Sequence, residues 1–210
     1  DSIAVTANLP SSTIAKVKRE LKDTSETNPL ITDPNEIVQA LNTAISKYSS
    51  DKPRVVADYY SGDGSTYEFV LPRNWIWGFS QIDTIEYQAG EQNRTILEEG
   101  DYEIIEKTLG TQPYRILRFV QLTPDSSTNN ILIYYTTRHT HTDELDTISA
   151  EDLIAVIWLA ASEAALTLSA KMSASSDSII NADSVNYRDG QLRWKQTAEE
   201  FKKRYDEYMS

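Results

Sequence analysis

The chain reads as an α+β protein, a helical bundle carrying a small antiparallel β-barrel or sandwich inserted between its second and third main helices. Three observations predict it. Helical periodicity occupies both ends, strand alternation broken by Gly and Pro fills the middle, and the pattern changes sharply at Pro53 and again near Arg138. With 210 residues there is room for one large domain or two small ones. The expected boundaries are 1–53 with 139–210 for the bundle and 54–138 for the β insertion.

The first ten residues look irregular. A short helix is expected over Ser12–Lys22, with Ile14, Val17 and Leu21 on one face and Lys16, Lys18 and Arg19 outside. Residues 23–32, rich in Ser, Thr, Asn and Pro, read as a loop. Asp33-Pro34-Asn35-Glu36 then starts a helix: Asp33 caps free backbone N–H groups, Pro34 suits the first position, and Glu36 can complete a capping box. Ile37, Val38, Leu41, Ala44, Ile45 and Tyr48 mark its face.

Six strands are expected in the insertion: Val55–Tyr60, Tyr67–Leu71, Gln81–Tyr87, Tyr102–Glu106, Tyr114–Val120 and Ile131–Thr137. Ser61-Gly-Asp-Gly64, Pro72, Gly90, Gly100, Gly110 and Pro124 punctuate them, because such residues form turns. Helical pattern returns after Ser149-Ala-Glu-Asp152, a start that resembles a capping box. The helix from Ala150 to Met172 is apolar nearly all round at first (Leu153, Ile154, Val156, Ile157, Trp158, Leu159), then rich in small residues (Ala160, Ala161, Ala164, Ala165). Such a helix is buried on several sides. Contact with a neighbouring subunit is one way to cover it, and on that reading Ala164→Trp or Ala165→Trp blocks assembly. Glu163 is either paired or facing a channel. Residues 173–178 read as a turn before the last helix, whose stripe of Trp194, Ala198, Phe201, Tyr205 and Tyr208 keeps helical spacing. That stripe either packs on its own domain or docks on a neighbour.

Charge excludes some functions. The net charge is −12, and all of it lies in residues 55–188, which hold twenty acidic and eight basic groups. A phosphate-gripping DNA binder needs clustered Lys and Arg instead. An acidic wall that DNA slides past is compatible with this balance. There are no cysteines, so disulfides, thiol nucleophiles and cysteine-bound metals are excluded. No basic-then-apolar N-terminal segment is present, so no signal peptide is expected. The apolar run from Leu153 to Leu168, interrupted by Ser162 and Glu163, looks short for a membrane span.

Candidate chemistry is sparse. His139-Thr-His141 with Asp143, Glu144 and Asp146 is the one metal-like cluster, since imidazole ligates zinc, but solvated polar groups are the expected reading. His139 is expected to cap or pack where the insertion rejoins the bundle. Asp101/Glu103 and Glu98/Glu99 could imitate the paired carboxylates of glycoside hydrolysis, about 5–10 Å apart. In a chain with 32 acidic residues such pairs arise by chance, and no nucleophile elbow, phosphate loop or His–Glu zinc motif accompanies them. No catalytic residue, metal or cofactor is expected. Trp75, Trp77 and Phe79 are expected to plug one end of the β core rather than stack on sugars.

Asp183-Ser-Val-Asn-Tyr-Arg188, followed by Ala198 to Tyr205, resembles the C-terminal signature of tailed-phage head–tail connector (adaptor) proteins, where a loop of this kind precedes the helix. Further matches run in the same order along most of the chain: Ala44-Ile45-Ser-Lys-Tyr48, Phe69-Val-Leu-Pro72 with Trp75, Ile85-Glu-Tyr87, Tyr135-Thr-Thr-Arg-His139 and Leu159-Ala-Ala-Ser162. The N-terminal 33 residues match least. The resemblance implies a virion protein made in the host cytoplasm. Its subunits form a ring, usually dodecameric, beneath the portal and join it to a downstream neck or tail protein. DNA passes through the channel without specific binding, no membrane takes part, and nothing is catalysed. On this reading Trp194, Ala198, Phe201, Tyr205 and Tyr208 dock on the portal. Leu153, Ile157, Ala160, Ala161, Ala164 and Ala165 form the ring interface. The rival, from a different class, is a carbohydrate-binding β module of a virion or secreted protein.

Overall fold

Four helices and two antiparallel sheets make an α+β chain, seen in a computed structural model that describes residues 9–25, 27, 29–109, 112–176 and 184–210. It divides into two units, Asp1–Lys52 with His139–Ser210, and Pro53–Arg138.

The first unit holds α1 (Ser11–Glu20), α2 (Pro34–Asp51), α3 (Leu153–Ser176) and α4 (Ser184–Met209). α1 buries Thr13 and Val17, with Leu21 just beyond its end. α2 starts as its sequence requires: Asp33 accepts from the Asn35 N–H at 2.9 Å, and Pro34 occupies the first position. Glu36 does not complete a capping box there, because its carboxylate pairs with Lys171 of α3. Ile37, Leu41, Ala44 and Tyr48 are buried at helical spacing.

α3 is the centre of this unit, packed on α4 along its length and on α2 and α1. Before it, Ser149 Oγ accepts from the Asp152 N–H at 3.1 Å and donates to the Asp152 carboxylate at 2.7 Å, closing the start. Leu153–Ala174 is long and apolar enough to cross a membrane, with mean hydropathy 1.8, so the expectation that the run is too short does not hold. In this chain 61% of the most apolar window of that stretch is buried inside the protein. The expected break at 173–178 is also displaced, since α3 continues to Ser176 and residues 177 and 178 lie outside the described residues.

Among the described residues the second unit has seven strands: β1 (Arg54–Gly62), β2 (Glu68–Val70), β3 (Ile82–Tyr87), β4 (Thr95–Leu97), β5 (Tyr102–Leu109), β6 (Gln112–Phe119) and β7 (Ser127–Thr137). They form two sheets, β1-β7-β3-β4 and β2-β6-β5, all pairs antiparallel. Of the two forms expected, the sheets keep the sandwich and do not close into a barrel. Strand alternation sends Ile85, Tyr87, Ile131, Ile133 and Tyr135 of one sheet inward against Leu117 and Phe119 of the other. β4, only three residues long, is the strand absent from the expectation. The expected turn at Gly110 lies outside the described residues. At Gly62 the chain shifts register against β7, and its N–H donates to Asn130 Oδ1 at 2.8 Å. The following turn is held by Asp63, which accepts from the N–H groups of Ser65 and Thr66.

Candidate functional site

The terminal aromatic stripe is mostly interior. Ala198, Phe201 and Tyr205 are buried, at 2%, 7% and 1% exposure, and Trp194 packs half-buried against the same core. Only Tyr208 is open, at 42%. Of the two readings of the stripe, packing on its own domain holds, and the expectation that all five residues meet a portal is corrected. The cause lies in α3. Its Ser and Ala positions let α4 come close enough for hydroxyls to reach across to backbone: Ser162 Oγ donates to the Ala198 carbonyl at 2.8 Å, and Ser169 Oγ donates to Gln191 at 3.1 Å.

The alanines of the expected ring interface are covered by their own chain for the same reason. Ala160, Ala161, Ala164 and Ala165 are each 1% exposed or less within their own chain, so they have no surface left for a neighbour, while Ile157, at 2%, borders a groove beside α1. Leu153 is partly open, and among the described residues the exposed large apolar side chains of α3 are Ile154 and Leu166. Glu163 is half-buried. At the other end of α4, Ser184 to Arg188 are helical, whereas a loop was expected there; Asp183 lies outside the described residues.

What the stripe does reach is a carboxylate knot that sequence reasoning missed. Asp152, 6% exposed, accepts from Tyr48 Oη at 2.8 Å, Lys52 Nζ at 2.8 Å, Ser149 Oγ at 2.7 Å and Tyr208 Oη at 3.0 Å. Burial works against its charge, but these four hydrogen bonds outweigh it and hold the carboxyl far below the ordinary carboxylate range. Next to it, Tyr205 Oη donates to Asp51 at 2.6 Å. Burial and that partnership push the Tyr205 phenol well above its usual value. Three helix ends meet here, which is a structural fastening and offers no open reacting atom. Its only sequence signal was the position of Tyr48 and Tyr208 near helix termini.

The histidines also fasten. His139 Nδ1 lies 2.9 Å from the Thr147 carbonyl and Nε2 lies 3.0 Å from that of Lys52, while its N–H donates to Ser49 Oγ. It caps the point where the chain returns to the helical unit, and both ring nitrogens are engaged. His141 is buried, with Nε2 2.9 Å from Thr13 Oγ1. Asp146 Oδ2 lies 3.0 Å from Nδ1 without forming an aligned hydrogen bond to it. The order Thr13–His141–Asp146 imitates a nucleophile, base and acid. With Thr13 1% and His141 4% exposed, no substrate reaches it, and it serves to tie α1 to the loop before α3. Among the described residues no three His, Cys, Asp or Glu side chains are grouped to hold a metal ion.

In the β unit Asp101 and Glu103 are taken up locally. Glu103 pairs with Arg118 at 2.9 Å, and Asp101 Oδ2 accepts from the Glu98 N–H. Trp75 is half-buried and tilts against Tyr135 with ring centres 5.7 Å apart. Trp77 is exposed, with the Arg115 guanidinium 4.1 Å above its ring, and Phe79 carries Arg138 at 5.2 Å. Trp75 therefore belongs to the core, and the three rings do not make a shared platform.

No protein-family model matches this chain, and no curated protein matches it. Among solved structures it is similar to a chain in the neck of an empty GTA particle computed with C6 symmetry, at 12% identity and a TM-score of 0.28, over 73% of this chain and 78% of that one. A likeness of that size bears on neither fold nor function.

Proposed function

We propose that this chain is a structural subunit of a tailed-phage neck, a head–tail connector that assembles as a ring beneath the portal and passes DNA without gripping it. One observation carries the reading: the whole β unit is a single excursion between α2 and α3, and several residues that carry the sequence resemblance sit where the excursion leaves and rejoins the helices or in its core. Tyr48 is tied to Asp152, Ile85, Tyr87 and Tyr135 line the β core, and His139 caps Lys52 at the return. The acidic middle of the chain supports a wall that repels phosphate. With Phe201 and Tyr205 buried, portal contact on this reading falls to the exposed apolar positions of α4, Leu192 and Tyr208. The glycan-binding rival gains nothing from the rings around Trp77, one of whose faces is taken by Arg115.

The test is an image of particles whose subunit carries an electron-dense tag after Ser210. Density in a ring at the head–tail junction supports the reading. Tagged density on fibres, or none on the particle, overturns it.

A further inference from the structure

We infer that the loop around Leu145 of one copy docks into the groove between α1 and α3 of the next copy. This inference rests on the ring reading and supplies its subunit contact. The groove, about 330 Å³, has an apolar floor of Leu153, Ile154 and Ile157 and a rim of Lys16, Arg19 and Glu20. Ile154 is 37% exposed, the open apolar position in the first turn of α3. Neither Lys16 nor Arg19 has an ion-pair partner among the described residues.

The chain carries a matching knob. Leu145 is 51% exposed on a tight turn in which the Thr142 N–H donates to the Leu145 carbonyl at 2.9 Å and the Leu145 N–H donates to Thr142 Oγ1 at 3.0 Å. The turn is further fixed by the bridge between His141 and Asp146. Asp143 and Glu144 flank the leucine, both exposed and both without an ion-pair partner among the described residues. An apolar knob with two free carboxylates thus complements an apolar floor with two free cations. On the ring reading the contact runs head-to-tail, the knob of each copy in the groove of the next, and so propagates from copy to copy. A rigid turn also loses little freedom on docking.

The absence of cysteine gives a clean assay. A tagged Leu145→Cys chain is mixed with an untagged Ile154→Cys chain at a concentration where the wild type assembles, then oxidised mildly. The expected product is a disulfide-linked heterodimer of tagged and untagged chains. In parallel, K16E/R19E should raise the concentration for half-assembly by about tenfold, and mixing with D143K/E144K chains should restore it. Assembly of the wild type with no heterodimer and no effect of charge reversal overturns the docking and leaves the ring standing. Failure of the wild type to assemble, alone or on portal, overturns both. A groove filled only by another protein of the particle also overturns the docking.

Discussion

The Tyr208 phenol, in the last turn of α4, donates to Asp152 Oδ1 at 3.0 Å, so the end of the chain is fastened to the residue just ahead of α3. Asp152 also holds Tyr48 and Lys52 from the end of α2. Asp152→Asn keeps the size of the side chain but puts an amide where a charge met four donors. It should cost about 2 kcal/mol.

The same carboxylate makes stability depend on pH. Its folded value lies below its unfolded one, so its contribution is complete above the ordinary carboxylate value of about 4 and is lost as pH falls below that toward its folded value. Asp51 acts in the same direction: burial opposes its charge, and hydrogen bonds from Lys47 and Tyr205 lower its value. Urea unfolding at pH 7, 4 and 3 should show the wild type losing stability over the acid steps and Asp152→Asn losing less. Equal slopes would mean that the acid sensitivity lies elsewhere.

Removing residues 189–210 should unfold the helical unit, since it strips Ala198, Phe201 and Tyr205 from the core around α3. Phe201→Ala alone should cost about 3 kcal/mol. Circular dichroism melts check both. A truncated chain with native helicity and an unchanged midpoint would return the stripe to the surface.

Ala165, fully buried in the helical unit, should not accept a large ring. Ala165→Trp is expected to destabilise the isolated subunit at the upper end of about 1–3 kcal/mol, before any assembly step. A variant that melts normally and fails only in assembly would restore this helix face to a ring contact.

What was legible in the sequence was what depends on neighbours along the chain. The Asp33 cap, the stop at Pro53 and the alternation of Ile85 and Tyr87 are local, and each produces the element expected. What a buried face touches is not local. The spacing of Ala164 and Phe201 shows that each lies on an apolar stripe, but period alone does not distinguish a partner in the same chain from one in another. The Asp152 knot joins Tyr48, Lys52 and Tyr208 across gaps of 104, 100 and 56 residues, beyond any motif. β4 escaped because three residues hold too little alternation to read.

Free duplex DNA should not bind at physiological salt, because the excess of carboxylates in residues 55–188 opposes phosphate contact. A mobility-shift titration checks this, and salt-sensitive micromolar binding would contradict it.

Gly62 gives the sharpest test of the β unit. A Cβ there would stand 2.3 Å from the Asp125 carbonyl oxygen and 2.8 Å from both the carbonyl oxygen and the Cβ of Pro124. Backbone and a proline ring cannot swing aside, and the same stretch is pinned by Asn130, which accepts from the Gly62 N–H and donates to the Asp125 carbonyl. Gly62→Ala should therefore cost about 3 kcal/mol by overpacking. Gly64, two residues on, has φ of +79°, and a Cβ there would meet only ordinary contacts, 3.7 Å to the Ser126 N and 3.8 Å to its Cβ, so Gly64→Ala pays only backbone strain, about 1 kcal/mol. Trp75 and Trp77 lie in this unit and Trp158 and Trp194 in the other. Fluorescence-monitored urea unfolding in a Trp158→Phe, Trp194→Phe background reports the β unit alone. If the two alanine variants cost the same, backbone conformation rather than the close approach of residues 124 and 125 governs this corner of the sheet.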